Sequence, residues 1–107
     1  MAHAHLVVLY NHPTDPAHFE QYYTASHLPL LMKYQQQIGF THAKFTKFES
    51  TLDGKPATLY RKAELTFPSL AALKTGIATP GFQQVAGDLG NFASGGLTPL
   101  IGVETHA

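Results

Sequence analysis

The chain opens with a block of apolar residues, Leu6-Val7-Val8-Leu9-Tyr10, closed by the turn signal Asn11-His12-Pro13. This predicts a first strand. Asp15-Pro16 then predicts a helix start, since Asp15 can cap free N–H groups and Pro16 fits the first helical position. Phe19, Tyr22, Tyr23, Leu30, Leu31 and Tyr34 follow at the 3–4 spacing of one helix face, with Ser26 and His27 filling the stripe between them. Pro29 interrupts that stripe. It cannot donate to the carbonyl of Ala25 and disfavours helix at Leu28, so a kink or break is expected at His27 to Pro29, with helix resuming to about Gln36.

Ile38 to Phe48 predicts a second strand. Phe40, His42, Lys44, Thr46 and Phe48 share one face, and Thr41, Ala43, Phe45 and Lys47 the other. Asp53-Gly54 is a hairpin signal. A third strand is expected from about Ala57 to Phe67. It places Leu59, Arg61, Ala63, Leu65 and Phe67 on one face and Thr58, Tyr60, Lys62, Glu64 and Thr66 on the other. Ser69 to Ala78 predicts a helix with Leu70, Leu73 and Ile77 inward. Thr79-Pro80 restarts a short helix striped by Phe82, Val85, Ala86 and Leu89. Leu97 to Val103 predicts a fourth strand.

The order is strand, helix, strand, strand, helix, strand. The simplest right-handed solution is a ferredoxin-like α+β fold, one antiparallel sheet with helices on one face. Strands one and four are apolar on both faces, so the second face needs a cover as well. No helix is left to provide it. A second copy of the chain is the economical answer, giving a homodimer with sheets packed face to face.

Composition narrows the function classes. The 107 residues suit one domain, which can bury about 65% of its unfolded surface. Charged residues are 13% of the chain, about half the usual ~25%, and seven Lys or Arg balance seven Asp or Glu. That balance argues against nucleic-acid binding. With no Cys there is no disulfide, thiolate metal site or thiol nucleophile. No run approaches the ~18 apolar residues of a membrane span and no signal-peptide pattern is visible, so a cytoplasmic protein without membrane partners is expected.

Seven His residues invite a metal or acid–base reading. His3 and His5 point to one side of the first strand, which suits a metal, although chain ends fray. His12 and His18 flank a solvated helix entry, His42 is expected half-buried on the dimer face, and His106 is in the tail. No pair has the His-x-x-x-His spacing of a helical zinc site, so no metal site is expected. Glu64 lies among Lys62 and Tyr60, where an ion pair or interface contact is the simplest role. The glycines form no phosphate loop, and no Ser has a nucleophile-elbow context.

His27 is different. It sits on the inward stripe beside a helix break, four residues after Tyr23. A break frees backbone polar groups, and His27 can satisfy one of them by capping. Alternatively its imidazole lines a pocket between helix and sheet as general acid, base or donor, with burial favouring the neutral form. Spacing alone leaves both open. Tyr10, Tyr23 and Tyr34 are candidates to edge such a pocket.

Three segments carry a family likeness: Tyr22-Tyr23 with His27-Leu28-Pro29-Leu30, Ala63 to Phe67 running into Ser69-Leu70, and Asp88-Leu89-Gly90-Asn91-Phe92. With the strand–helix order, the chain from about Leu6 to Glu104 resembles the EthD family of the dimeric α+β barrel superfamily. The resemblance implies a ferredoxin-like protomer, a dimer built by its sheets, and a characteristic helix histidine at His27. Relatives in the wider superfamily include cofactor-free monooxygenases, polyketide cyclases, muconolactone isomerases and haem-binding enzymes. It implies a fold more firmly than a reaction. At Phe67-Pro68-Ser69 the chain lacks the Asp cap common in the family.

The expectation drawn from residues and resemblance together is a small cofactor-independent enzyme of oxygenase, isomerase or cyclase type. Its substrate is a compact apolar or aromatic molecule. His27 transfers the proton, Tyr10 and Tyr23 position the ligand, and Leu31 lines the site. Two other readings stand beside it: a non-catalytic binding dimer serving a partner oxidase, and, more weakly, His27 as a haem or metal ligand. A second titratable group beside His27 in the pocket would favour catalysis, and a wholly apolar pocket with one His would favour binding.

Overall fold

A computed structural model describes residues 2–106. Four strands, β1 (Ala4–Tyr10), β2 (His42–Lys47), β3 (Arg61–Phe67) and β4 (Leu97–Val103), form one sheet in the order β2-β3-β1-β4. Every neighbouring pair is antiparallel, with Val8 opposite both Ala63 and Pro99. This is the ferredoxin-like α+β arrangement expected from the element order.

Caps fix where the helices begin. The Asp15 carboxylate accepts from the His18 amide at 3.1 Å and starts α1 (Pro16–Tyr22). Ser69 accepts from the Ala72 amide and opens α4 (Leu70–Ile77), so the helix entry is capped by serine. Thr79 caps α5 (Pro80–Asp88), with Pro80 at its first position.

Three boundaries depart from the sequence expectation. Pro29 does not break the first helix. Tyr23–His27 forms a π turn, and helix continues as α2 (Leu28–Lys33) and α3 (Gln35–Ile38). Ile38 is therefore helical, and β2 starts only at His42, after Gly39 caps α3 at φ 92°. Finally, β3 begins at Arg61, not near Ala57. The Asp53-Gly54 turn forms, with Gly54 at φ 83°, but at the tip of a long connection instead of a tight hairpin. Tyr60 precedes the ladder and escapes its alternation. It is buried, not on the polar face, and its hydroxyl donates to Glu20 at 2.8 Å.

The helices cover one face of the sheet, onto which Ala4, Leu6, Tyr10, Ala63, Leu65 and Phe67 are buried. Gly76 of α4 lies so close to the Ile38 carbonyl that any Cβ there would collide with it, which lets α4 seat against α3. The core divides in two. An aliphatic cluster gathers Leu6, Leu31, Ile38, Leu65, Leu73 and Val85; an aromatic one gathers Tyr10, Phe19, Tyr23, Tyr60 and Phe92. The other sheet face is half-buried at Val7 and Leu9 and exposed at Leu100, while β2 presents His42, Lys44 and Thr46 there to solvent. The apolar part of this face is thus confined to β1 and β4. Among the described residues no helix is long and apolar enough to cross a membrane.

Candidate active site

The site grows out of the π turn. Pro29 brings no N–H to the helical ladder, and its ring crowds the carbonyl one turn back. The chain accommodates this by widening the preceding turn, where the Leu28 amide bonds the carbonyl of Tyr23. The widened turn turns Tyr23 and His27 inward and leaves Ser26 exposed, contrary to its place in the sequence stripe. The two inward rings lie nearly parallel, 5.8 Å apart and 16° from coplanar. Phe92 packs on the other side of His27, at 4.6 Å between centroids.

His27 makes no side-chain cap to the helix. Its Nδ1 lies 2.9 Å from Asp88 Oδ2. Asp88 ends α5 and is itself buried, with 8% of its surface exposed. A carboxylate at a helix C-terminus opposes the helix dipole, so it needs other stabilisation. Here the Tyr22 hydroxyl donates to Oδ1 at 2.6 Å and Asn91 Nδ2 donates to the same oxygen at 2.9 Å. Burial works to raise the Asp88 carboxyl, but the bonds from Tyr22, Asn91 and His27 outweigh it and hold it below the usual value. Asp88 therefore stays ionised and accepts from His27 Nδ1–H. That fixes the tautomer and leaves Nε2 as the basic nitrogen. Burial in turn lowers the His27 pKa below its ordinary value, against the opposing pull of Asp88. The imidazole is neutral at pH 7.

His27 lines a cavity of about 360 Å³ whose wall draws residues from both the aliphatic and the aromatic cluster. Protein interiors rarely leave voids larger than a water, and this one is in the size range of ligand sites. All four residues singled out from sequence, Tyr10, Tyr23, His27 and Leu31, reach its wall. Tyr34 does not; it packs against the aliphatic cluster under the cation of Lys33. The remaining wall is apolar, with Leu6, Leu65, Val85 and Leu97 among its members and no charged side chain. Burial pushes the Tyr23 phenol up to about 12, although the nearby Arg61 guanidinium, 5.1 Å above its ring, works to lower it.

Asp88, Asn91 and the Tyr22 hydroxyl were missed as site residues. One signal was available: Asp88 stands three residues after Val85 on the inward stripe of α5, an acidic residue where the pattern asks for an apolar one.

The other histidines lie away from the cavity. His12 and His18 are exposed and bond the carbonyls of Ala57 and Asn91, and His42 is exposed on β2. His3 and His5 do share a side, and there they meet Glu104. His5 Nε2 is 2.5 Å and His106 Nε2 3.2 Å from its carboxylate oxygens. No group of three or more His, Cys, Asp or Glu among the described residues is arranged to hold a metal ion.

Comparison with known proteins sets this geometry in a family. The EthD domain matches residues 11–96. An uncharacterised 11.0 kDa protein from the thcB-thcC intergenic region of Rhodococcus erythropolis is 39% identical over 96 residues, covering 90% of this chain and 89% of that one. An ethyl tert-butyl ether d (EthD) family protein of Bacillus halodurans superposes with TM-score 0.85 at 27% identity, over 98% of this chain and 100% of that one. Two more distant structures share the fold alone. A dimeric ferredoxin-like protein of Bacteroides fragilis has TM-score 0.68 at 10% identity, with 96% of each chain covered. The cofactor-independent oxygenase SnoaB of Streptomyces nogalater has TM-score 0.62 at 17% identity, over 99% of this chain and 93% of that one.

Proposed function

The chain belongs to the EthD family, and from that premise we propose that it is a small cofactor-independent enzyme acting on a compact apolar or aromatic substrate by proton transfer through His27. The observation that carries this reading is the buried His27–Asp88 pair at 2.9 Å on the wall of an apolar cavity. A cavity that only held a hydrophobic molecule would need no ionised carboxylate behind its histidine, because burying a charge is costly unless it is paired.

The chemistry follows from the tautomer. Nε2 takes a proton from the substrate, and the imidazolium that forms is stabilised by Asp88 through Nδ1–H. The proton then returns to a different atom or to the product. A substrate carbanion or enol formed in this way is a common first step for oxygenation, isomerisation and cyclisation. Tyr10, Tyr23 and Leu31 hold the substrate against the base. The fold shared with SnoaB supports chemistry without a cofactor. The protein works as a homodimer in this reading. The apolar patch of Val7, Leu9 and Leu100 on the open face, and the dimeric state of the Bacteroides fragilis protein, support that assembly.

The test is solvent deuterium uptake, followed by NMR, into a panel of enolisable ketones and phenols. The wild-type protein should accelerate uptake into at least one of them. His27→Gln should remove the acceleration, by about 10²–10⁴-fold, while keeping its near-UV dichroism. Binding without accelerated exchange, unchanged in His27→Gln, would make the protein a carrier or accessory dimer for a partner oxidase.

A further inference from the structure

Tyr22 ends α1 just before the π turn and reaches His27 by two routes. Its ring stacks on Phe92, 5.6 Å apart and 20° from parallel, and Phe92 in turn packs on the imidazole. Its hydroxyl donates to Asp88 Oδ1 at 2.6 Å. Packing accounts for the ring but not for the oxygen. Phenylalanine would keep the stack on Phe92 and the contact with the His18 ring. What the oxygen adds is the bond to the carboxylate. The two carboxylate oxygens are thereby given different partners. Oδ1 takes Tyr22 and Asn91, and Oδ2 takes His27 Nδ1. Asn91 Nδ2 also donates to the Tyr22 hydroxyl at 3.2 Å, which leaves the phenol's own proton for Asp88. The two oxygens share one negative charge, so each donor on Oδ1 draws charge away from Oδ2.

We propose that Tyr22 is a positioning residue for His27: acting through Asp88, it fixes which carboxylate oxygen the imidazole meets and limits the negative charge that oxygen offers to Nδ1–H. This rests on the reading of His27 as the base. A carboxylate bound by His27 alone would hold the imidazolium tightly and make Nε2 slow to give its proton back. A carboxylate already bonded to a phenol and an amide holds it less, so the proton returns to the substrate more readily.

The other titratable groups near the pair leave this role to Tyr22. Tyr23 shares the turn of His27 and Tyr10 of β1 shares its cavity wall, and burial raises both phenols, so neither changes charge in the neutral range. Arg61 of β3 lies over the Tyr23 ring and is paired with Glu20 of α1. His18 of α1 packs on the Tyr22 ring, but its Nε2 meets the Asn91 carbonyl and not the carboxylate. The bond to Asp88 raises the Tyr22 phenol above its ordinary value, so it stays protonated and remains a donor.

The experiment is a ¹⁵N NMR titration of the His27 imidazole in the wild-type protein, Tyr22→Phe and Asn91→Ala, with no ligand present. Tyr22→Phe should raise the His27 pKa by about 0.5–1 unit, or about three- to tenfold in proton affinity. Asn91→Ala should raise it less. Both shifts run opposite to the fall expected when the carboxylate's charge is removed. A bond that served stability alone would lower the melting temperature of Tyr22→Phe and leave the titration where it was. That result, or a fall in the pKa, overturns the proposal. If Tyr22→Phe does not fold, the sign of the Asn91→Ala shift decides in the same way. The base assignment fails separately: no deuterium exchange in wild type removes His27 as the base, while the titration still judges what Tyr22 does to the imidazole.

Discussion

The imidazole of His27 and the carboxylate of Asp88 meet at 2.9 Å although 61 residues separate them. One comes from a π turn in the first helical layer and the other from the last turn of α5. Neither is needed to fill the core, and each is costly to bury alone. Their pairing explains why both are tolerated inside.

Replacing Asp88 with Asn tests that pairing. The carboxylate opposes burial in setting the His27 pKa, so its loss should lower that pKa further. It should also release the Nδ1–H tautomer and slow His27-dependent exchange by up to about 10⁴-fold, as when the carboxylate orienting a general-base histidine is replaced by an amide. A pH–rate profile checks both effects at once. An acid limb unmoved from wild type would contradict the pairing.

The acid limb of the wild-type rate should lie below pH 6.5. Burial depresses the folded His27 pKa, so the neutral base predominates at pH 7 and is lost only as pH falls through that depressed value. Stability follows the same sign. A folded pKa below the unfolded one means the unfolded chain binds more protons in the window beneath about 6.5. The Asp88 carboxyl, also depressed, adds a second loss below its ordinary value near 3.8. Urea midpoints should therefore fall from pH 7 to pH 5 and further toward pH 3, and more weakly between pH 7 and 5 in His27→Gln.

Pro29→Ala tests the origin of the π turn. Alanine restores the missing N–H and removes the ring, so the wide turn loses its cause. Relaxation to an α-helix should swing His27 away from Asp88. We expect unchanged or higher thermal stability with loss of the bonded Nδ1–H proton signal. A variant that keeps that signal would mean that side-chain packing, and not the proline, sets the turn.

The homodimer of the proposed function should depend on the open sheet face. Leu100 is 51% exposed there, on the edge strand. Leu100→Asp should weaken association without unfolding the protomer, which is stapled elsewhere. Light scattering coupled to size exclusion reads the change directly. A wild-type protein monomeric at all concentrations would remove the dimer from the account.

Much of this was legible in the sequence because it is local. Asp15, Ser69 and Thr79 cap helices within three residues of themselves, and the stripe on α5 repeats every three or four. The odd residue of the first stripe, His27, was visible for the same reason. Long-range effects were not. Asp88 gains its meaning only when α5 docks beside the π turn. Tyr60 looked like a polar-face residue because strand alternation was extended past Arg61; its backbone still bonds Tyr10 and Phe48, but its ring is buried and its hydroxyl bonds Glu20 from a different element. The π turn itself lay outside the choice between helix and break that Pro29 seemed to pose. The cavity has no local signature, since residues of both core clusters come together on its wall only in the folded chain.

The most direct test of the central claim is the tautomer and titration of His27 by ¹⁵N NMR of the imidazole. The ring should be neutral at pH 7 with the proton on Nδ1, a free Nε2, and a pKa below 6.5 that drops further in Asp88→Asn. A ring protonated on Nε2, or one titrating at or above 6.5, would contradict the assignment of His27 as the base.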